Sequence, residues 1–183
     1  MEYTDNAGND PKTQIFVKPK RRPGKEDNDN EQILIFQPNI GLSGDVRQPV
    51  EKILNTILAN EAVLSQKTRS IHWNRTGIGF LEIHILLESQ YKQLSEIVDK
   101  IAERTRILGG IALGSFEEFL EESQIEGRPS QIPDILHLLA DHESVTRSLR
   151  EDIRKCSEEY EDEGTVELLV GAVCVNDLKQ LIK

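Results

Sequence analysis

Apolar residues recur at steps of three and four along most of this chain, and wherever those steps hold a helix is predicted. Val50, Ile53, Leu54, Ile57 and Leu58 open the first such stretch. Pro49 stands just before it, where a first helical turn tolerates the missing N–H. The spacing predicts a helix from near residue 47 to near 75. After Gly77 and Gly79, the positions Phe80, His84, Leu87, Tyr91, Leu94, Val98, Ile101, Thr105 and Leu108 alternate steps of four and three. That is the period of a helix packed along its whole length in a bundle, and Gly109-Gly110 stops it. A short helix is predicted over 116–122, closed by Gly127, Pro129 and Pro133. Ile135, Leu138, His142, Val145, Leu149 and Ile153 then mark a third long helix to about Tyr160, with Pro133 in its first turn. Gly164 separates off a last apolar helix from Val166 to Ile182.

Two helical hairpins joined by a long connection that holds a short helix point to an all-α fold, a four-helix bundle with one crossover. No internal repeat and no alternation of strands with helices is visible. Residues 1 to 46 lack helical periodicity and, with Pro49, hold five of the seven prolines, so they are read as an extended arm ahead of a bundle domain over 47–183. Within the arm, Lys12, Lys18, Lys20, Arg21, Arg22 and Lys25 are followed at once by Glu26, Asp27, Asp29 and Glu31. The arm is polarised, not uniformly basic.

Composition narrows the possible chemistry. The 183 residues are 37% hydrophobic and 30% charged, enough for one core and its solvated surface. The formal net charge of -10 excludes a chain that coats nucleic acid over its whole surface, so any such contact falls to the basic part of the arm. Two cysteines, Cys156 and Cys174, are too few for a disulfide scaffold, an all-cysteine zinc site or an iron–sulfur cluster, and they suit a reducing cytoplasm. No apolar run approaches bilayer length, and the N-terminus has neither the basic start nor the apolar run of a secretory signal. A cytoplasmic protein without membrane contact is expected.

Four histidines carry the candidate chemistry. His84 occupies a stripe position that calls for Leu or Ile, and one reading is a core imidazole satisfied by a neighbour. At 3.6 residues per turn, Glu88, Asp99 and Glu103 fall about 40°, 60° and 100° around the helix from His84, so all four can line one face. His84 and Asp99 are fifteen residues apart, roughly 22 Å along the axis at 1.5 Å per residue, too far for one metal site. If two copies of the helix cross antiparallel near Gln93 and Leu94, His84 and Glu88 of one come level with Asp99 and Glu103 of the other. Two equivalent sites then form across a subunit interface. His72, just before the turn, supplies a second imidazole. Two imidazoles with carboxylates suit Fe(II), Zn(II) or Mn(II). A solvated acidic face reads the same carboxylate spacing without any metal. A di-iron site inside one bundle needs two Glu-x-x-His pairs, and the chain has none. The nearest approach, Asp134-x-x-His137, is assigned with Asp141 to the helix surface, and His142 to the core.

His72-Trp73-Asn74, His84 and Asp99-Lys100-Ile101-Ala102-Glu103-Arg104 resemble the corresponding segments of the Dps proteins, miniferritins that protect DNA in starved cells. The resemblance runs from about Asn39 to Asp177 and includes Lys67-Thr68-Arg69, Ile107-Leu108-Gly109-Gly110 and Asp141-His142-Glu143. It implies a ferritin-like bundle assembled as a hollow dodecamer, with ferroxidase sites at its dimer interfaces. His72, His84 and Glu88 would come from one subunit, and Asp99 and Glu103 from its mate. Iron would be both metal and substrate, oxidised by hydrogen peroxide in preference to oxygen and stored as ferric mineral. Trp73 would serve as electron donor if oxidation stalls, its alternative being core packing. Asp162, Glu163 and Glu167 fall where similar proteins line a three-fold pore. The ending from Gly171 to Lys183 departs from the family's charged and aromatic pattern. A DNA contact through Lys18, Lys20, Arg21, Arg22 and Lys25 is expected from the mobile tails of such proteins. A nucleoid-associated shell with little ferroxidase activity is the alternative function.

Overall fold

The computed structural model of the chain describes residues 38–127 and 134–177. Five helices follow one another: α1 (Gly44–Asn74), α2 (Phe80–Ile107), α3 (Phe116–Glu122), α4 (Ile135–Glu158) and α5 (Glu163–Asn176). α1 pairs with α2 and α4 with α5, and the pairs pack through α1 on α4 and α2 on α5. This is the all-α bundle with a crossover helix that the periodicity predicts, and no strand occurs among the described residues. The arm bases Lys18, Lys20, Arg21, Arg22 and Lys25 lie outside the described residues, as do Pro129, Pro133 and the ending from Leu178.

Two boundaries move for identifiable reasons. α1 starts about a turn before Pro49, because the Ser43 carbonyl accepts from the amides of Val46 and Arg47 and begins the ladder there. Pro49 therefore lies inside the helix, and its missing N–H falls opposite the carbonyl of exposed Asp45. α5 likewise starts ahead of Val166, because the Asp162 carboxylate accepts from the Thr165 amide at 3.1 Å and caps the first turn. The turn into α2 needs Gly79, whose φ of 72° lies in the left-handed region, and the stop after α2 uses Gly109 at 94°.

The core is formed by Val50, Leu54, Ile57 and Leu64 of α1, Leu87, Leu94 and Ile101 of α2, Leu138 and Leu149 of α4, and Leu169 of α5, all buried. α1 also splints the crossover through its polar face. Arg47 Nη1 donates to the Leu108 carbonyl at 2.9 Å. Asn55 Nδ2 donates to the Ile111 carbonyl at 2.9 Å, and its Oδ1 accepts from the Leu113 amide at 3.2 Å. Asn60 Oδ1 takes the Gln124 amide at 2.7 Å. A Cβ at Gly110 would sit 2.1 Å from the Glu51 carboxyl carbon, so a larger residue there has to displace the carboxylate that accepts from the Ile111 amide. With its backbone bonds spent on α1, the stretch 108–127 holds one path although only seven of its residues are helical. Ser115 and Glu118 close a capping box that fixes where α3 begins.

Glu61 of α1, Gln90 of α2, His142 of α4 and Asn176 of α5, all buried, form a polar layer inside the bundle. Asn176 Nδ2 donates to Glu61 Oε1, and its Oδ1 accepts from His142 Nδ1 at 3.1 Å, while Gln90 Nε2 donates to the Val175 carbonyl at 2.7 Å. Burial pushes the Glu61 carboxyl up to about 8 and the His142 imidazole down to about 4, so near neutral pH both are uncharged. Between 4.5 and about 8 the folded chain keeps a Glu61 proton that the unfolded chain releases, so stability falls as pH rises through that window. Between 6.5 and about 4 the unfolded chain takes up a His142 proton that the folded chain refuses, so stability falls as pH drops through that window. Thermal unfolding across pH checks both signs. Glu61→Gln is expected to flatten the decline in Tm from pH 6.5 to 8, and His142→Gln the decline from pH 6 to 4; profiles unchanged from wild type would contradict the assignment.

Candidate metal centre

The hairpin between α1 and α2 brings His72, in the last turn of α1, against His84, in the second turn of α2. Their rings stack with centroids 3.8 Å apart and planes 23° from parallel. His72 Nδ1 donates to the His84 carbonyl at 3.0 Å, and His84 Nδ1 donates to the His72 carbonyl at 3.1 Å. A carbonyl only accepts, so each Nδ1 carries a proton, and in the uncharged form of either ring the lone pair is on Nε2. The His72 carbonyl belongs to the end of α1, where no further turn supplies an amide, so the bond from His84 also satisfies the helix terminus. The sequence thus builds two imidazoles in the tautomer that leaves Nε2 for a metal.

Further rings hold the pair in place. Phe80 lies 5.0 Å from His84, Tyr91 meets His72 edge-on at 5.3 Å, and the Arg69 guanidinium lies over the Tyr91 ring, 4.7 Å from its centroid. His72 is buried and His84 half-buried. Tyr91 is a contact that sequence reasoning left on the apolar stripe; its position seven residues after His84 was the signal that both face the same neighbour.

Glu88, one turn beyond His84, receives Lys92 Nζ at 2.6 Å. The Lys92 hydrogen bond and charge hold the Glu88 carboxyl below its ordinary range, with a smaller contribution from the two imidazoles. Asp99 and Glu103 are exposed on the far half of α2, roughly 22 Å or more along the axis from His84 at 1.5 Å per residue. A single chain therefore joins His72 and His84, sets Glu88 beside them, and leaves Asp99 and Glu103 apart. Among the described residues no group of three or more His, Cys, Asp or Glu side chains is gathered to hold a metal ion within one chain.

Other candidates resolve differently. Trp73 is 63% exposed, which removes its core-packing alternative, and Tyr91 instead is the aromatic side chain in contact with His72. The three acids grouped near α5 divide: Asp162 turns inward, 2% exposed, and accepts from Arg104 Nη2 at 2.6 Å and Thr165 Oγ1 at 2.6 Å, while Glu163 and Glu167 remain exposed. A carboxylate so occupied is a structural anchor between α2 and α5, not a free ligand. Asp134 caps α4 by accepting from the His137 amide at 2.8 Å, and Asp141 is half-buried and pairs with Lys67. His142 is the buried core imidazole that the pattern predicts.

Comparison with known proteins adds to this geometry. Residues 51–176 match the sequence model of the ferritin-like domain family. A low temperature-induced protein of Nostoc is 38% identical over 73% of this chain and 76% of its own length. A DNA protection during starvation protein of Listeria innocua is 30% identical over 62% of this chain and 74% of its own length. Among solved structures, DpsC from Streptomyces coelicolor superposes with a TM-score of 0.75 at 27% identity, covering 81% of this chain and 88% of that one. The Dps protein of Vibrio cholerae O1, described as a member of the ferritin-like diiron-carboxylate superfamily, superposes at 0.71 with 28% identity, covering 80% and 98%.

Nitrogen NMR on metal-free protein reads the tautomers directly. In their uncharged forms His72 and His84 are each expected to show a protonated Nδ1 and an unprotonated Nε2; the opposite tautomer on either ring would mean that the lone pair is not offered as described.

Proposed function

This chain belongs to the Dps family of ferritin-like proteins, and from that premise we propose that it is a ferroxidase and iron-storage protein. Copies assemble as a hollow dodecamer, oxidise Fe(II) with hydrogen peroxide at sites shared between two subunits, and keep the ferric product inside as mineral. The observation that carries this reading is the His72–His84 pair with both Nε2 lone pairs unengaged. The antiparallel crossing of α2 supports it, because 84 with 103 and 88 with 99 share one midpoint, between Gln93 and Leu94. So does the apolar surface around the imidazoles: Trp73, Ile78, Leu81 and Ile85 are 58% to 99% exposed in the single chain, a patch that a second copy would cover.

In the completed site, His72, His84 and Glu88 of one subunit face Asp99 and Glu103 of the other. The carboxylates favour the more highly charged ferric ion, and the neutral imidazoles retain affinity for the ferrous one. Two Fe(II) give one electron each to hydrogen peroxide, which takes two protons and leaves as two waters, so no hydroxyl radical is released. Trp73, next to His72, supplies an electron when only one iron is oxidised. Exposed Glu163 and Glu167 line the path by which cations enter, focusing negative potential there. The relatives' name, DNA protection during starvation, is carried to this chain through the same chemistry, since consuming iron and peroxide together removes the reagents that damage DNA. Contact with DNA through the arm bases from Lys18 to Lys25 is a second, separable activity.

Stopped-flow oxidation of Fe(II) by peroxide tests the reading. Replacing both His72 and His84 by Ala is expected to slow the initial oxidation at least about tenfold, as losses of metal ligands and their orienting partners do. Wild-type rates in that variant, with assembly intact, would overturn the assignment.

A further inference from the structure

The metal-binding face of α2 contains one cation whose position the ferroxidase reading does not use. Measured around the helix from Glu88, His84 lies at about -40°, Asp99 at about 20°, Lys92 at about 40°, Glu103 at about 60° and Glu96 at about 80°. From His84 to Glu103, Lys92 is the only basic residue in that sector, among four carboxylates. Lys100 falls at about 120°, outside it. Glu96, Asp99 and Glu103 are exposed and make no ion pair among the described residues, so the one ion pair on this face is Lys92 Nζ with Glu88 Oε1, at 2.6 Å.

The crossing point makes this position more pointed. Lys92 lies within two residues of the midpoint between Gln93 and Leu94, so in an antiparallel pair it comes level with Ser95 of the second copy and within one turn of that copy's Glu96 and Asp99. Two such faces bring eight carboxylates together against two ammonium groups. Without a metal, that excess of like charge opposes the very contact that completes the site.

We infer that the Lys92 ammonium is the built-in counter-ion of the metal-free site, standing at Glu88 for the charge of a divalent cation until the metal displaces it. This rests on the shared-site reading above and names what regulates that site. Metal and ammonium compete for the Glu88 charge, so the residue sets how readily the site fills. In the metal-free state the same charge lets the two acidic faces approach. Removing the ammonium therefore has two effects of opposite sign: tighter metal binding and weaker metal-free assembly. An ordinary surface ion pair produces neither combination.

The test uses the full chain as wild type, Lys92→Gln and Lys92→Arg, with circular dichroism confirming unchanged helix content. Redox-inert Zn(II) is titrated calorimetrically into metal-free protein, and metal-free assembly is followed by sedimentation on dilution. Lys92→Gln is expected to bind Zn(II) about fivefold more tightly, the upper range for an exposed ion pair, and to dissociate at higher protein concentration than wild type. Lys92→Arg keeps the charge and should match wild type in both, and saturating Zn(II) should remove the assembly difference. Unchanged or weaker Zn(II) binding by Lys92→Gln, or metal-free assembly as stable as wild type, overturns the counter-ion role while leaving the shared site standing. A wild-type protein that binds no Zn(II) at the His72–His84 pair overturns the shared site itself.

Discussion

Two hydrogen bonds exchanged between His72 and His84 close the α1–α2 hairpin and at the same time decide its chemistry. Each ring gives its Nδ1 proton to the other's carbonyl, and the consequence for both is a free lone pair on Nε2. The arrangement is possible because α1 ends just after His72 and α2 has only begun at His84, so the two backbones lie close enough for side chains to reach across. Gly79 supplies the left-handed backbone that the short turn needs. The Phe80, Tyr91 and Arg69 contacts then restrict the ring positions. Fixing both imidazoles before a metal arrives lowers the ordering cost that binding would otherwise carry.

The rest of the bundle holds that hairpin while leaving the acidic half of α2 exposed. α1 serves two neighbours at once, apolar toward the core and polar toward the crossover, where Arg47, Asn55 and Asn60 take up backbone groups that would otherwise need water. At the other end of α2, Arg104 is anchored on Asp162, immediately beside Glu103. The helix is therefore secured at both ends, and the spacing from His84 to Glu103 is set by a rigid rod. Such a rod cannot fold back to bring its own carboxylates to its own imidazoles.

The helices were legible because their buried rows keep steps of three and four without interruption. The crossover helix over Phe116–Glu122 was legible because Gly127, Pro129 and Pro133 close it. The starts of α1 and α5 were less so, since a carbonyl of Ser43 and a carboxylate of Asp162 set them, not the apolar pattern. That His72 and His84 meet, with Glu88 one turn on, follows from a short turn between two periodic stretches. Asp162 was misgrouped with Glu163 and Glu167 because its partner Arg104 is 58 residues away, a contact that local charge does not reveal. The buried polar layer went unnoticed for another reason. Glu61 stands in the row Ile57, Glu61, Leu64, and Asn176 in the row Leu169, Ala172, Asn176, so both occupied core positions in plain view, but a charged or amide side chain there reads as an exception until its partner is seen.

In the proposed ferroxidase site, residues come from two chains. Co-assembly of two inactive variants tests it most directly: one chain with His72 and His84 replaced by Ala, the other with Asp99 and Glu103 replaced by Ala. Each alone should fail to oxidise Fe(II) with peroxide. When they are unfolded and reassembled together at equal amounts, random pairing leaves about one quarter of the sites intact, and activity should return to about that fraction of wild type. Mixed assemblies as inactive as their parents, with mass spectrometry confirming that both chains are present, would contradict a site shared across the interface.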